Sequence, residues 1–241
     1  MKYFLTFISL FLSLFCFAQG QTKTAQDLFN EGNYLAAAVE YQKQITAFPK
    51  DSYAYYNLAN SYFKAGDLDK ALVNYYRAFR LNPRDKDIIN NLSFTLQKTG
   101  QNLIPENMPR SIFLIYHYFS LQELKGLAFI SLWLFAIVST FMLSFKYRPF
   151  LVKIAVVSLC STLFFTCFYL LRVKKDVQNL AVVTAPRAEL RSGPSENFPV
   201  ALNVPRAQLL EVHDKKGDWY EVSVGSEGAF NWVPKKNIEV I

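Results

Sequence analysis

The stretch Tyr53-Ala54-Tyr55-Tyr56-Asn57-Leu58-Ala59-Asn60-Ser61-Tyr62-Phe63-Lys64-Ala65-Gly66-Asp67 decides how the first half of the chain folds. Tyr55, Leu58, Ala59 and Tyr62 stand at the three- and four-residue steps of one helix face, and Gly66 followed by Asp67 makes a turn. Sliding the sequence against itself by 34 residues superposes Gly32, Gly66 and Gly100. The same shift places Ala25 on Ala59, Ala37 on Ala71, Tyr41 on Tyr75 and Pro49 on Pro83. So many special residues in one register predict stacked helix pairs. Small side chains at Ala59, Ala71 and Ala78 let two antiparallel helices approach, while Tyr55, Leu58, Tyr62 and Tyr75 fill the space between them. Glycine tolerates the left-handed conformation that ends a helix, and Pro83 closes the unit because it cannot continue one.

The middle copy, read as Tyr55-x-x-Leu58-Ala59-x-x-Tyr62 and then Gly66, Ala71, Tyr75, Ala78 and Pro83, resembles the tetratricopeptide repeat signature. The first copy is degenerate, with Leu28 in place of Tyr62 and Gln44 in place of Ala78, and the third meets Pro105 and Pro109 soon after Gly100. An all-α array of about two and a half repeats over 19–105 is expected. The resemblance implies a peptide-binding concave face made by the first helices. It would contain Tyr53, Tyr56, Asn57, Asn60, Phe63 and Lys64 in the middle copy, and Asp87, Asn90, Asn91, Phe94 and Lys98 in the third. Asparagines pair with an extended backbone and aromatics cover its side chains. The alternative is that Tyr53, Tyr56 and Phe63 pack against a neighbouring repeat. The positions of a carboxylate clamp hold mainly Thr22, Asp87 and Asn91, which argues against that mode.

Of the 241 residues 51% are hydrophobic, gathered into long runs as in a membrane protein with soluble parts. The formal net charge is +7, but Lys146, Arg148, Lys153, Arg172, Lys174 and Lys175 flank those runs, which suits lipid headgroups rather than nucleic acid. Residues 1–18 have Lys2, an apolar core from Phe4 to Phe17 and a small Ala18, the pattern of a secretory signal. A first span is expected over 125–145, apolar from Leu127, where 19 residues reach roughly 28 Å, and a second over 150–171. The turn Lys146-Tyr147-Arg148-Pro149 joins them into a tight hairpin, and its basic residues with Lys153 predict a cytoplasmic turn. Arg172, Lys174 and Lys175 at the other end oppose that count, so the signal weighs in the orientation. Segment 111–124 mixes Ile112, Phe113, Leu114, Ile115, Tyr116, Tyr118 and Phe119 with few charges, and reads either as an interfacial helix or as a cap on the repeat stack, with His117 an interfacial residue.

From Leu180 the pattern changes to six short β-rich runs: Ala181–Val183, Ala188–Arg191, Gln208–His213, Trp219–Val224, Asn231–Val233 and Ile238–Ile241. Leu190-Arg191-Ser192-Gly193-Pro194-Ser195, then Gly217-Asp218-Trp219-Tyr220, then Trp232-Val233-Pro234 resemble bacterial SH3 domains, so 180–241 is expected as an all-β SH3-like barrel. That resemblance implies a groove near Tyr220 and Trp232; Trp219 and Trp232 are expected mainly in the core. Cys160 and Cys167 lie in an apolar run, and neither soluble part after the leader contains a cysteine. No HExxH, GxSxG or Walker motif and no suggestive carboxylate pair is present, so neither enzyme activity, nor metal, nor cofactor is expected.

The order of signal, tetratricopeptide repeats, membrane hairpin and SH3-like domain resembles the E-type components of the Bacteroides aerotolerance (Bat) operons. The resemblance implies a scaffold in an envelope complex linked to stress or oxygen tolerance. Its implied partners are other Bat membrane proteins, bearing von Willebrand factor A domains or repeats, and a cytoplasmic MoxR-type ATPase. It also implies a place in the inner membrane with both soluble domains periplasmic. The alternative function is a sensor that holds cell-wall peptides through the SH3-like domain.

Overall fold

Two helix pairs and a fifth helix in the same register begin the computed structural model, which describes residues 23–105, 108–144, 149–176, 180–225 and 228–241. The expected signal over 1–18 and the turn residues Lys146, Tyr147 and Arg148 lie outside the described residues. The pairs are α1 (Ala25–Asn30) with α2 (Tyr34–Ala47), α3 (Ser52–Lys64) with α4 (Leu68–Leu81), and α5 (Lys86–Lys98), whose partner is replaced. Each first helix starts on a side-chain oxygen. Thr24 forms a reciprocal capping box with Asp27, Asp51 accepts from the amides of Tyr53 and Ala54, and Asp85 accepts from those of Asp87 and Ile88. Such a cap stabilises a helix by about 1 kcal/mol. Each first helix ends on a left-handed glycine, Gly32, Gly66 or Gly100, at φ of 82°, 86° and 72°. The next amide folds back: Asn33, Asp67 and Gln101 donate to the carbonyls of Leu28, Tyr62 and Leu96.

Ala59, Ala71 and Ala78 are completely buried, as their small volume requires at close helix crossings. They are packed with Leu72, Tyr75, Phe79, Ile88, Leu92 and Leu96 in one core, next to a second built from Ala37, Tyr41, Ile45 and Leu58.

After Pro109 the chain forms a short helix, α6 (Arg110–Tyr116), then the long α7 (Leu121–Ser144) and α8 (Pro149–Asp176). The expected 111–124 segment is thus divided at 117–120, where Ser120 and Glu123 form a reciprocal cap that starts α7. Phe113 of α6 is buried in the repeat core, its ring stacked 6.2 Å from that of Phe79. α7 and α8 pack along one another as a hairpin, with Ser131, Val138, Ala155 and Ser158 buried. Leu121–Met142 and Pro149–Val173 are long and apolar enough to cross a membrane. Only 17% and 11% of their most apolar windows are buried, unlike helices in the core of a soluble protein.

The C-terminal β-domain is a seven-stranded antiparallel sheet of β1 (Leu180–Val183), β2 (Arg187–Arg191), β3 (Val200–Pro205), β4 (Leu209–Lys216), β5 (Trp219–Ser223), β6 (Asn231–Pro234) and β7 (Ile238–Val240). Their order is β3-β2-β6-β5-β4-β1-β7. β3 was not among the expected runs. It is an edge strand, bounded by Pro199 and Pro205, and buries only Val204, so it carries no alternating signal.

This β-domain docks on α4, the second helix of the middle pair. Val182 and Ala207 join the buried repeat core, with Leu180, Leu209 and Ile241 packed against it. The Gln101 side chain binds β-domain backbone on both sides, donating to the Ala207 carbonyl at 3.0 Å and accepting from the Leu209 amide at 2.8 Å. Arg77 pairs with Glu239 at 3.0 Å, and Arg80 donates to the Ile241 carbonyl. The guanidinium of Arg206 lies 2.9 Å from the buried Asp69, an ion pair by distance without hydrogen-bond alignment.

Candidate functional site

Because helical residues three and four apart share a face, Tyr53, Tyr56, Asn57, Asn60, Phe63 and Lys64 form one stripe on α3. Asp87, Asn90, Asn91, Phe94 and Lys98 form a matching stripe on α5. These are the first helices of their pairs, and the β-domain lies on the second-helix side at α4.

The stripe divides into a closed and an open part. Tyr75 donates its hydroxyl to Asn60 Oδ1 at 2.6 Å, and Asn91 Nδ2 donates to Tyr56 Oη at 2.8 Å and to Asn60 Oδ1 at 3.2 Å. Burial pushes the phenols of Tyr56 and Tyr75 above the usual tyrosine range, which keeps both protonated. Tyr56, Asn60 and Asn91 therefore spend polar groups joining one repeat to the next. The Asn60 oxygen and the Asn91 nitrogen are thereby engaged within the array. The first copy repeats the device 34 residues earlier, where Tyr41 donates to Gln26 at 3.1 Å. Periodicity aligned Tyr41 with Tyr75; the amide partners, Gln26 and Asn60, are the signal that was missed.

The open part is aromatic and basic. Tyr53 and Phe94 are 62% and 52% exposed, and Lys64, Asn90 and Lys98 are exposed beside them, while Asn57 and Phe63 are half-buried. The Phe63 and Phe94 rings lie 5.9 Å apart, and Lys98 Nζ sits 5.3 and 5.2 Å from their centroids. Apolar ring faces beside cations suit a peptide bearing an apolar side chain close to a carboxylate. Residues 52–85 match the tetratricopeptide repeat family. No curated protein matched the chain. The matched tetratricopeptide repeat runs from the start of α3 to Asp85, the cap of α5. It supports protein–protein interaction as the coarse role of this region.

The β-domain does not bring Tyr220 and Trp232 into one groove. Tyr220 is paired with Val233, and Trp232 with Glu221, so alternation sends the two aromatics to opposite faces of the β5–β6 pair. Tyr220 packs partly against the core. The core expectation for Trp219 and Trp232 is corrected too. Both are half-buried and outside a core made of Ala181, Val183, Leu190, Leu210, Val212, Val222 and Val233, whose small side chains close it without an indole. His213 Nε2 lies 2.8 Å from Ser223 Oγ, but Ser223 is buried and donates to the Gly225 carbonyl, so the pair braces a turn. A cavity of about 1130 Å³ lies where the repeats, α6, the α8 end and the β-domain meet, lined by residues including Phe79, Phe113, Arg172, Leu209 and His213.

Proposed function

We propose that the chain is a non-enzymatic scaffold anchored in the inner membrane, which presents the open face of its tetratricopeptide repeats to partners in an envelope complex. The observation that carries this reading is the exposure of Tyr53 and Phe94 on the first-helix face, while the second-helix side is occupied by the β-domain. A platform held from behind and open in front is what a scaffold requires. Two mostly exposed apolar helices provide the anchor. The guanidinium of Arg172, near the end of α8, holds the carbonyls of Tyr116 and Phe119 just before α7, so the outer ends of the hairpin lie together, which supports a reading in which both soluble parts emerge on one side. The leader pattern and the basic turn at Lys146, Arg148 and Lys153 support a periplasmic side.

In the finer form of this reading the β-domain is SH3-like and the complex is of the Bat aerotolerance type, linked to stress or oxygen tolerance. Its partners are other Bat-type membrane proteins with von Willebrand factor A domains or repeats. Co-purification of such a partner with the full chain, and its loss on joint Tyr53→Ala and Phe94→Ala substitution, is the expected result. Equal recovery with the substituted chain would refute the assignment of the face.

A second reading, cell-wall peptide binding by the β-domain, draws support from half-exposed Trp219 and Trp232 on the face that also presents Glu221 and Arg191. Retention of the detergent-solubilised full chain on isolated cell wall, lost on Trp232→Ala, would favour it over the scaffold.

A further inference from the structure

α6 is apolar on both sides, and among the described residues only one side is covered. Phe113 and His117 face the repeat stack, where the His117 ring lies 5.4 Å from that of Phe79. Tyr116 meets Phe168 of α8 edge-on at 5.9 Å. On the opposite stripe, Ile112, Ile115 and Tyr118 follow at three-residue steps and are 54%, 73% and 52% exposed. Ile112 and Ile115 on the helix, with Tyr118 just past its end, form an apolar surface that water covers at a cost.

Two independent features fix the level at which this stripe sits. Along the chain, the candidate span starts at Leu121, three residues after Tyr118. Across space, Arg172, in the last turn of the other candidate span, is only 4% exposed and donates to the Tyr116 carbonyl at 2.6 Å and the Phe119 carbonyl at 3.2 Å. The end of α6 is therefore held level with the mouth of the hairpin, where hydrocarbon gives way to headgroups. Cations stand around the same junction. Arg84 lies 5.3 Å from the Tyr118 ring centroid and pairs with Glu123 at 2.5 Å, while Arg110 and Lys125 are exposed.

We infer that the Ile112–Ile115–Tyr118 stripe beds into the headgroup layer of the bilayer, making α6 a strut between membrane and repeat stack. The apolar stripe enters the boundary between headgroups and acyl chains, and Arg84, Arg110 and Lys125 contact acidic lipid phosphates. Since Phe113 ties the other face of α6 to the repeat core, the strut fixes the stance of the open peptide face relative to the membrane.

The inference rests on the membrane reading of α7 and α8, and the test separates the two. Spin labels are placed at Ile115→Cys, Trp133→Cys and Tyr53→Cys in a full chain whose Cys16, Cys160 and Cys167 are alanine. The protein is put in nanodiscs of mixed phosphatidylglycerol and phosphatidylcholine. Collision rates are then measured with oxygen, which partitions into lipid, and with a water-soluble nickel chelate. The inference predicts an oxygen-to-nickel ratio at Ile115→Cys several-fold above that at Tyr53→Cys and below that at Trp133→Cys. A ratio at 115 equal to that at 53, with 133 deep in lipid, overturns the strut and leaves the spans intact. Water-like ratios at all three positions overturn both.

Discussion

Tyr75 shows how a single hydroxyl serves the array. Its bond to Asn60 joins the two helices of the middle repeat and holds the same amide oxygen to which Asn91 of the next repeat donates, so Tyr75→Phe should destabilise the repeats by about 1 kcal/mol in denaturant unfolding. Tyr53→Ala and Phe94→Ala should each stay within about 0.5 kcal/mol of the parent in the same assay, because exposed side chains have little to lose. Partner affinity, by contrast, should weaken about tenfold for either. Alkaline pH probes the buried phenols. A solvated tyrosine loses its proton near pH 10.0, whereas burial holds Tyr75 and Tyr76 protonated beyond it. Above pH 10.0 the unfolded chain thus binds fewer protons than the folded one, so stability is intact below that pH and falls as pH rises through it. Phenolate absorbance should lag behind that of free tyrosine and then rise together with the loss of helical circular dichroism. At this scale the sequence was readable wherever a residue type has one use, as at Gly66 or Ala71. It was ambiguous at Asn60 and Asn91, whose amides serve a partner repeat or a peptide equally well.

At the scale of elements, the glycine turns and acidic caps recur with the repeat. Gly66 stands at φ of 86°, where an added Cβ meets no neighbour but the backbone itself is strained, so Gly66→Ala should cost about 1 kcal/mol in thermal or chemical unfolding. The caps Asp51 and Asp85 are also 34 residues apart and would have marked both helix starts. α6 was legible as apolar but not as divided in role, because its two faces carry the same kind of residue and only packing tells them apart. Phe113→Ala removes the plug from the end of the stack and should cost about 3 kcal/mol. β3 was missed because an edge strand that buries only Val204 need not alternate. Trp219 and Trp232 were misplaced because strand register decides the face: the pairing of Trp219 with Pro234 and of Trp232 with Glu221 turns both away from the face that buries Val222 and Val233.

The whole molecule depends on the β-domain and the repeats behaving as one body. The third helix pair lacks its second member, and α6 with Val182 and Ala207 of the β-domain closes the core at that end. No periodicity announces such a contact, since Gln101, Arg206 and Glu239 are far apart in sequence and ordinary in type. Arg206→Ala would leave Asp69 buried without its cation and should cost about 2 kcal/mol, a loss that Asp69→Asn in the same chain should largely relieve. The central claim is that both soluble parts stand together on one side of a membrane hairpin. Its most direct test is labelling by a membrane-impermeant maleimide at Tyr53→Cys or Lys216→Cys, in the chain otherwise free of cysteine. The account predicts that both positions react in spheroplasts and that neither reacts in sealed inverted vesicles. Reaction of the two from opposite sides would contradict it.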